Sequence, residues 1–516
     1  MSTGDSSKSC TTVESIPIRR PWGRLWLHAA IMSGRDFLYA VEVVLVTPVL
    51  LQLGVPEHLY SYIWLCSPTA GLLLGPVFGS LSDRCKSRWG RRRPFVVFFV
   101  IITIVALTLL IFSKDLALLF TDSLRELRIM GIVFGVIGSQ VMDFCVDQLE
   151  GILHAYTLDV CSDLDQQRAF TIQIFFMGLG GSLGFIVDGI KWRDVFQYFT
   201  VEFQTKVVYI FAVTIYLGSA AMTLFSIKEL SLTRSHCDTE KTSIVAEMKN
   251  ERDNNVPLDK LGEKPKSDNE ETSASIGKLW SSIFTMPAEL RYLCLSLLSS
   301  YTGIEVLLLW YTNIFGSVVY GGNATAPVNS TEFKLYNDGV HAGCWGLTMY
   351  ALSMLLFSVT LEYFDIFSKI SQRVVYSGAQ LVTAISAAVM FVFPYDYVMY
   401  LSSWTIGITV GAAHTLPFIL VGKYHRDEKY VTKSPGNTRR GYGIDCAILA
   451  CQMYAGNIVY ALISGPIIAY YGNSRIMMLV ASICFTISFM LCAIMVKYPG
   501  EQSCHLCKMR STEDDS

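Results

Sequence analysis

Charge is what this 516-residue sequence has least of: Asp, Glu, Lys and Arg together make up 16% of it, where a soluble globular chain carries about 25%. Apolar residues fill 52% and the mean hydropathy is +0.41, which excludes a string of soluble domains. A formal net charge of −2 gives no electrostatic reason to expect a nucleic-acid partner. A cleavable leader is also missing. The first 24 residues are polar and end in Arg19, Arg20 and Arg24 directly before an apolar segment, so the first span doubles as the insertion signal. The 14 cysteines make no disulfide framework, because most, such as Cys66, Cys145, Cys294, Cys446, Cys484 and Cys492, stand singly in apolar runs and behave as small hydrophobes. Cys504 and Cys507 form a CHLC tail without a second ligand pair, which reads as an inert or lipidated end rather than a metal site. No Gly-rich phosphate loop, metal quartet or nucleophile–base pairing stands out, so no enzyme, cofactor or metal is expected.

In place of charge there are long apolar stretches, each sufficient to cross a hydrocarbon core of ~30 Å. Candidate spans run over 25–52, 58–81, 95–113, 129–158, 169–189 and 207–227, then 290–315, 339–361, 374–394, 398–422, 443–469 and 475–496. This is an all-α membrane protein with twelve expected transmembrane helices in two six-helix bundles. The bundles cover 25–227 and 290–496. Residues 228–289 read as a disordered linker, since they are rich in Glu, Lys, Asn and Asp with no apolar period, and 1–24 and 497–516 as tails. Six basic residues fall between Asp83 and Arg93, and six more between Lys423 and Arg440. The positive-inside rule makes both loops, and hence both termini, cytoplasmic. Two glycosylation sequons, at Asn323 and Asn329, fall in the loop after the seventh span, on the opposite side.

Two stretches carry mechanism. Between spans two and three, Gly79, Asp83, Gly90, Arg91 and Arg92 are spaced so that glycines allow helices to approach while an acid and guanidinium groups make and break contacts. We read this loop as a gate; the corresponding loop around Asp365, Lys369 and Arg373 is degenerate. In span four, Asp143, Asp147, Glu150 and His154 are spaced by four, three and four, within an arc of about 60° on one helix face. Ionisable groups at membrane depth cost ~2.5–3.5 kcal/mol each. Such a stripe must face a partner or water, and by default it marks a pathway. Carboxyls crowded in a low-dielectric cavity can hold a proton and release it when the cavity opens, which makes Asp143, Asp147 and Glu150 candidates for proton coupling. The other reading is a static network that locks span four in place. His154 either pairs with Glu150 or relays a proton. In span one, Arg35 and Glu42 share a face, seven residues apart, and Arg35 pairs either with Glu42 or with a carboxylate of span four. Asp159 reads equally as part of the pathway or as a helix-end or loop contact, and His414 and Asp445 read more simply as structural contacts. Tyr39, Trp310 and Tyr311 offer rings on which a sugar can stack.

Beyond these patterns, a family resemblance is carried by Gly34-Arg-Asp36-Phe-Leu-Tyr39-Ala-Val-Glu42, Thr47-Pro-Val-Leu, Ser87-Arg-Trp-Gly-Arg-Arg-Arg-Pro94, Met142-Asp-Phe-Cys145, Asn329-Ser-Thr-Glu-Phe333, Gly343-Cys-Trp-Gly346 and Glu428. These runs resemble solute carrier family 45, which is related to plant sucrose–proton symporters in the glycoside-pentoside-hexuronide branch of the major facilitator superfamily. The short central loop is most similar to that of a pigment-cell member. The resemblance implies proton-coupled sugar transport, with the proton aspartate at Asp143. It also places His154 where the plant proteins carry a sugar-contacting arginine. The gate loop resembles that superfamily's signature loop. The charged cluster those symporters carry at the outer end of span seven is replaced here by Tyr311, Thr312, Asn313 and Ile314.

The expected function is proton-driven symport of a sugar such as sucrose or glucose, at the plasma membrane or in an acidic organelle such as the melanosome, whose pH it would influence. Substrate-binding candidates are His154, Arg35, Glu42, Tyr39 and Trp310. Two alternatives stand beside it: transport of an organic cation such as a polyamine, because carboxylates offset an ammonium's lost hydration, and a non-transporting membrane scaffold. The partners expected are protons, a small polar solute and the bilayer.

Overall fold

The computed structural model describes residues 20–53, 57–121, 123–189, 201–227, 229, 286–323, 326, 330–426, 430 and 441–499; over 44–53, 57–64, 201–205 and a few single positions it describes the backbone alone. Most of the expected linker, the CHLC tail, Asn329, Glu428 and the basic residues Lys429, Lys433, Arg439 and Arg440 lie outside the described residues.

Before the linker come α1 (Ile31–Leu53), α2 (Glu57–Asp83), α3 (Arg93–Ile111), α4 (Leu124–Val160), α5 (Asp163–Gly189) and α6 (Val201–Leu224). After it come α7 (Ala288–Ile314), α8 (Thr331–Tyr363), α9 (Gln372–Val392), α10 (Asp396–Tyr424), α11 (Tyr442–Tyr471) and α12 (Ile476–Ile494). Over the described residues, 11 of these helices are long and apolar enough to cross a membrane; α1 is a further helix of 23 residues. Helix is the form such sequences must take in lipid, because it satisfies every backbone N–H and C=O within the segment.

Three boundaries depart from the apolar pattern. The expected span at 25–52 is broken at Ala30 into a short helix, Trp22–Ala29, and α1. The break is held by the Ile31 N–H, which donates to the Thr223 hydroxyl of α6 at 3.0 Å. Helix α8 begins at Thr331, eight residues before its apolar part, because the Ser330 side chain accepts from the Phe333 N–H at 3.2 Å and caps a polar first turn. Helix α4 is 37 residues long, about 55 Å at 1.5 Å per residue, so its polar ends extend past any hydrocarbon core.

Helix α1 packs on α4, α5 and α6, and α3 on α4 and α6. In the second half, α9 packs on α10 and α12, and α7 on α8, α11 and α12. The halves meet through α5 against α8 and α2 against α11, with α4 touching α11 and α5 touching α10. Close approach at both main seams is set by small residues. A Cβ on Gly178 of α5 would lie 2.6 Å from the Leu355 nitrogen of α8, and one on Gly79 of α2 would lie 2.7 Å from the Gly443 oxygen of α11. Both seams run from the basic end of the bundle, where α2 and α8 end and α5 and α11 begin, toward mid-depth.

Candidate functional site

The stripe on α4 does face a partner, and that partner is Arg35. Its Nη2 lies 2.6 Å from Glu150 Oε2 and 3.3 Å from Asp147 Oδ1, and its Nη1 lies 3.2 Å from Asp36 Oδ1. Of the two pairings open to Arg35 from sequence, the structure forms the one with span four rather than the one with Glu42. Asp36, rotated away by helical geometry, still reaches Arg35 because the guanidinium fork takes several carboxylates at once. By helical rise Glu150 stands ~14 Å, and Asp143 ~24 Å, from Asp159 at the basic end of α4, which places the cluster deep in the bundle.

Two further residues complete it. His414 of α10, weighed from sequence as a structural contact, lies with Nδ1 2.5 Å from Glu150 Oε1 and so ties the second half to the first. Glu305 of α7 is buried within electrostatic reach of Arg35 and Asp143. No sequence pattern marked it, yet it is the single charged residue between Arg291 and Glu332, and an acid alone in a span was the available signal. Among the described residues, six carboxyl groups (Asp36, Glu42, Asp143, Asp147, Glu150 and Glu305) share the field of one guanidinium. One Arg cannot neutralise six anions, five of them buried, so protons or a bound cation must supply the balance.

The carboxyls are not equivalent. Glu150, Asp147 and Asp36 are held by Arg35, whereas Asp143 makes no ion pair among the described residues and is only partly buried, beside Ser67. Glu42 is buried and its Oε1 has no hydrogen-bond partner. Tyr39, Tyr301 and Tyr350 lie in the same field. Tyr454 of α11 accepts from Gln148 Nε2 of α4 at 2.8 Å, a second tie between the halves.

His154 stands apart from this group. It is fully buried, its ring lies 3.8 Å from that of Phe418 and 5.5 Å from that of Phe170, and Nδ1 is 4.0 Å from Glu150 Oε1, beyond hydrogen-bond range. Neither ring nitrogen has a hydrogen-bond partner. The residue adjacent to Glu150 is therefore His414 rather than His154. Trp310 is half-buried with an unpartnered Nε1. Tyr311 is closed into packing: its hydroxyl donates to the Met399 carbonyl at 3.0 Å and lies 2.5 Å from that of Ser403. No group of three or more His, Cys, Asp or Glu is arranged to hold a metal ion among the described residues.

At the basic end, the loop from Asp83 to Arg93 builds a second charged assembly. Asp83 ends α2, and its carboxylate accepts the Gly443 and Ile444 N–H groups at 3.0 and 3.1 Å, capping the first turn of α11 from the other half. An anion there gains from the N–H groups left open by the helix and from its dipole. Arg92, fully buried, reaches Asp83 at 2.5 Å and Asp159 at 2.8 Å, and also donates to the Ser82 hydroxyl. Burial alone would push its pKa down; Asp159 and Asp83 carry it above the usual arginine value. Arg91 pairs with Asp159 at 2.7 Å. Glu229, beyond α6, accepts the Arg92 N–H at 2.9 Å, and its carboxyl is pushed up by burial and drawn down by that N–H. Gly90 sits at φ +116°, and a Cβ there would lie 2.7 Å from the Glu229 Cβ, so both conformation and space require glycine. Asp159 thus belongs to this assembly, while Asp445 binds within its own half, to His425 at 2.8 Å and Tyr430 at 2.7 Å.

Comparison with known proteins shows the family. The chain matches the Major Facilitator Superfamily over residues 37–330. It is 32% identical to human membrane-associated transporter protein, covering 93% of this chain and 95% of that one. With human solute carrier family 45 member 4 the identity is 28%, over 96% and 90%; with human proton-associated sugar transporter A it is 26%, over 92% and 86%. Among solved structures, the proton:xylose symporter XylE bound to a bromodeoxyglucose shares the fold at a TM-score of 0.57 and 12% identity, covering 91% of this chain and 94% of that one. The chain belongs to solute carrier family 45 within the major facilitator superfamily.

Proposed function

We propose that this protein is a proton-coupled symporter of a neutral sugar, working by alternating access between two bundles at 25–227 and 290–496. The observation that carries the reading is Asp143. On a face where Arg35 already holds Glu150, Asp147 and Asp36, it is the partly exposed carboxyl left without an ion pair among the described residues, free to take and release a proton. Asp147 and Glu150 set the field around it, and Glu42 and Glu305 complete that field. Tyr39 and Trp310 supply rings for stacking on a sugar and Arg35 a cation beside them, while His154, packed against Phe170 and Phe418, reaches the solute only if those rings move. The names of two similar proteins, proton-associated sugar transporter A and the proton:xylose symporter, support both halves of the reading.

The basic loops set the orientation: Asp83–Arg93 and Lys423–Arg440 face the cytoplasm, with both termini. The halves are in contact at the basic end, through Asp83 on the Gly443 and Ile444 N–H groups, and on this reading Asp83, Arg91, Arg92, Gly79 and Gly90 form the gate that must open. In a lysosome-related organelle such as the melanosome, export of sugar with protons raises lumenal pH. Asn323 is exposed at the opposite end and, with Asn329, carries glycan on the non-cytoplasmic side. Glycosidase treatment is expected to shift the wild type, and Asn323→Gln combined with Asn329→Gln is expected to remove the shift; an unshifted wild type contradicts this placement.

The test of coupling is sugar uptake into proteoliposomes under an imposed proton gradient. A gradient of about two pH units can drive at most ~100-fold accumulation per proton. Asp143→Asn is expected to collapse that accumulation to equilibration. Uptake indifferent to Asp143→Asn contradicts the reading. One observation favours a second reading, an organic cation as solute: six carboxyls face one guanidinium, and a bound ammonium would balance them as protons do. Competition separates the two, since amines displace the solute in that case and neutral sugars do not.

A further inference from the structure

The seal between the halves at the basic end has two parts, and the loop from Asp83 to Arg93 accounts only for the α2–α11 seam. At the α5–α8 seam the cross-half ion pair among the described residues is Arg168 of α5 with Glu362 of α8, Nε to Oε1 at 3.3 Å, both about a third exposed. An isolated pair so exposed holds little on its own, because both side chains are solvated and free to move. Arg168 is not free to move. Its guanidinium lies over the Trp22 ring, 5.2 Å from the centroid, a geometry in which an aromatic face attracts a cation and fixes the plane of the fork.

Trp22 is itself fixed by the segment that carries it. The Arg20 N–H donates to Asp165 Oδ2 at 2.7 Å, and Arg20 Nε donates to the Val160 carbonyl at the end of α4 at 3.3 Å. Arg24 donates to the Ser226 carbonyl, just past α6, at 2.6 Å. Trp26 packs edge-on against Phe175 and Phe176 at 5.0 and 5.5 Å. His28 Nε2 lies 3.1 Å from the Thr157 hydroxyl. Residues 20–29 thus form a strap across the basic ends of α4, α5 and α6, anchored by side chains that satisfy the last carbonyls of two helices. The tail expected from sequence at 1–24 ends inside this strap.

We propose that the strap is part of the inner gate: Trp22 positions Arg168 for its cross-half pair with Glu362, forming a second lock at the α5–α8 seam beside the Asp83 lock at the α2–α11 seam. This rests on the alternating-access reading above. When the halves rock apart, Glu362 leaves with α8, while Arg168 remains stacked on Trp22, so the fork keeps its orientation and the lock re-forms without searching rotamers. Trp22 and Arg168 act here as positioning residues that set how often the inner side opens.

The test is alkylation of Ser358→Cys, whose native hydroxyl donates to the Thr171 carbonyl at this seam at 2.5 Å, with labelling read by peptide mass mapping in purified full-length protein. Glu362→Gln and Trp22→Ala are each expected to raise the labelling rate about three- to fivefold, the range for losing one exposed charged contact. The double variant is expected to label no faster than either single one, because both remove the same lock. Trp22→Phe is expected to fall between wild type and Trp22→Ala. If Trp22→Ala does not fold, Arg168→Lys, which keeps the charge and loses the stacked fork, is expected to raise labelling equally. A Trp22→Ala or Arg168→Lys rate equal to wild type overturns the proposal, and so does an effect that multiplies with that of Glu362→Gln. Asp83→Asn separates the proposal from the reading beneath it: if that variant exposes the native Cys451 at the other seam while Trp22→Ala exposes nothing, the strap proposal alone fails. If neither variant exposes anything, the alternating-access reading fails with it.

Discussion

Replacing Arg35 by methionine is expected to cost this protein a large share of its stability. Arg35 is 4% exposed, and its guanidinium compensates three carboxylates within 3.3 Å. Removing one partner of a buried ionic group leaves uncompensated charge, at ~3–5 kcal/mol, against a total stability of about 5–15 kcal/mol. The predicted result is a large fall in melting temperature, or in the yield of monodisperse protein, measured by size-exclusion chromatography of heated detergent extracts. Arg35→Lys is expected to fall between the two, since a point charge cannot hold three carboxylates as a planar fork does. Adding Glu150→Gln to Arg35→Met is expected to restore part of the loss, because it removes an anion that Arg35 compensated. A melting temperature unchanged in Arg35→Met would mean that Arg35 does not hold Asp36, Asp147 and Glu150 as the buried ion-paired network described above.

The second large effect is expected at Asp83. Asparagine keeps the shape of the side chain, but its single acceptor oxygen can hold only one of the Gly443 and Ile444 N–H groups that the two carboxylate oxygens accept, and it loses the charge that both the α11 dipole and Arg92 require. Hydrogen bonds to charged groups contribute about 1.5–3 kcal/mol, which corresponds to roughly a ten- to hundredfold shift toward the open inner side. Cys451 of α11 packs against α2, its thiol 3.8 Å from the Leu72 carbonyl. Its alkylation rate therefore reads the opening, and Asp83→Asn is expected to raise it by that factor. Gly443→Ala should act in the same direction, because its Cβ would lie 2.5 Å from Asp83 Oδ1 and drive the carboxylate off the helix end. Labelling unchanged in both variants would show that the α2–α11 contact is static packing.

Much of this was readable from residues alone, and the parts that were not share a cause. Apolar length gave the helices, since lipid leaves the backbone no other choice. Helical spacing gave the α4 stripe, since four ionisable groups on one face can be recognised within a single element. The α2–α3 loop marked the second charged assembly, since its glycines and charges are contiguous. Spacing within one helix says nothing about which residue of another helix arrives opposite. For that reason His414, rather than His154, lies beside Glu150, and Arg35 takes Asp147 and Glu150 in place of Glu42. Glu305 carried a signal of a different kind, a lone acid in an apolar span, which no periodicity picks out. The strap at 20–29 was hidden because its tryptophans and two leucines continue the apolar run of α1, and the break at Ala30 depends on a hydroxyl from α6 nearly two hundred residues away.

Coupling between Asp143 and the proton is the centre of the account, and one comparison reaches it most directly. In proteoliposomes of wild type and Asp143→Asn, gradient-driven accumulation of a sugar is measured beside exchange of the same sugar at equal pH on both sides. A carrier whose proton site is Asp143 loses accumulation in the variant and keeps exchange within about twofold of wild type, because the bundles still rock when the carboxyl is permanently neutral. Accumulation that survives in Asp143→Asn, or accumulation and exchange lost together in folded protein, would contradict it.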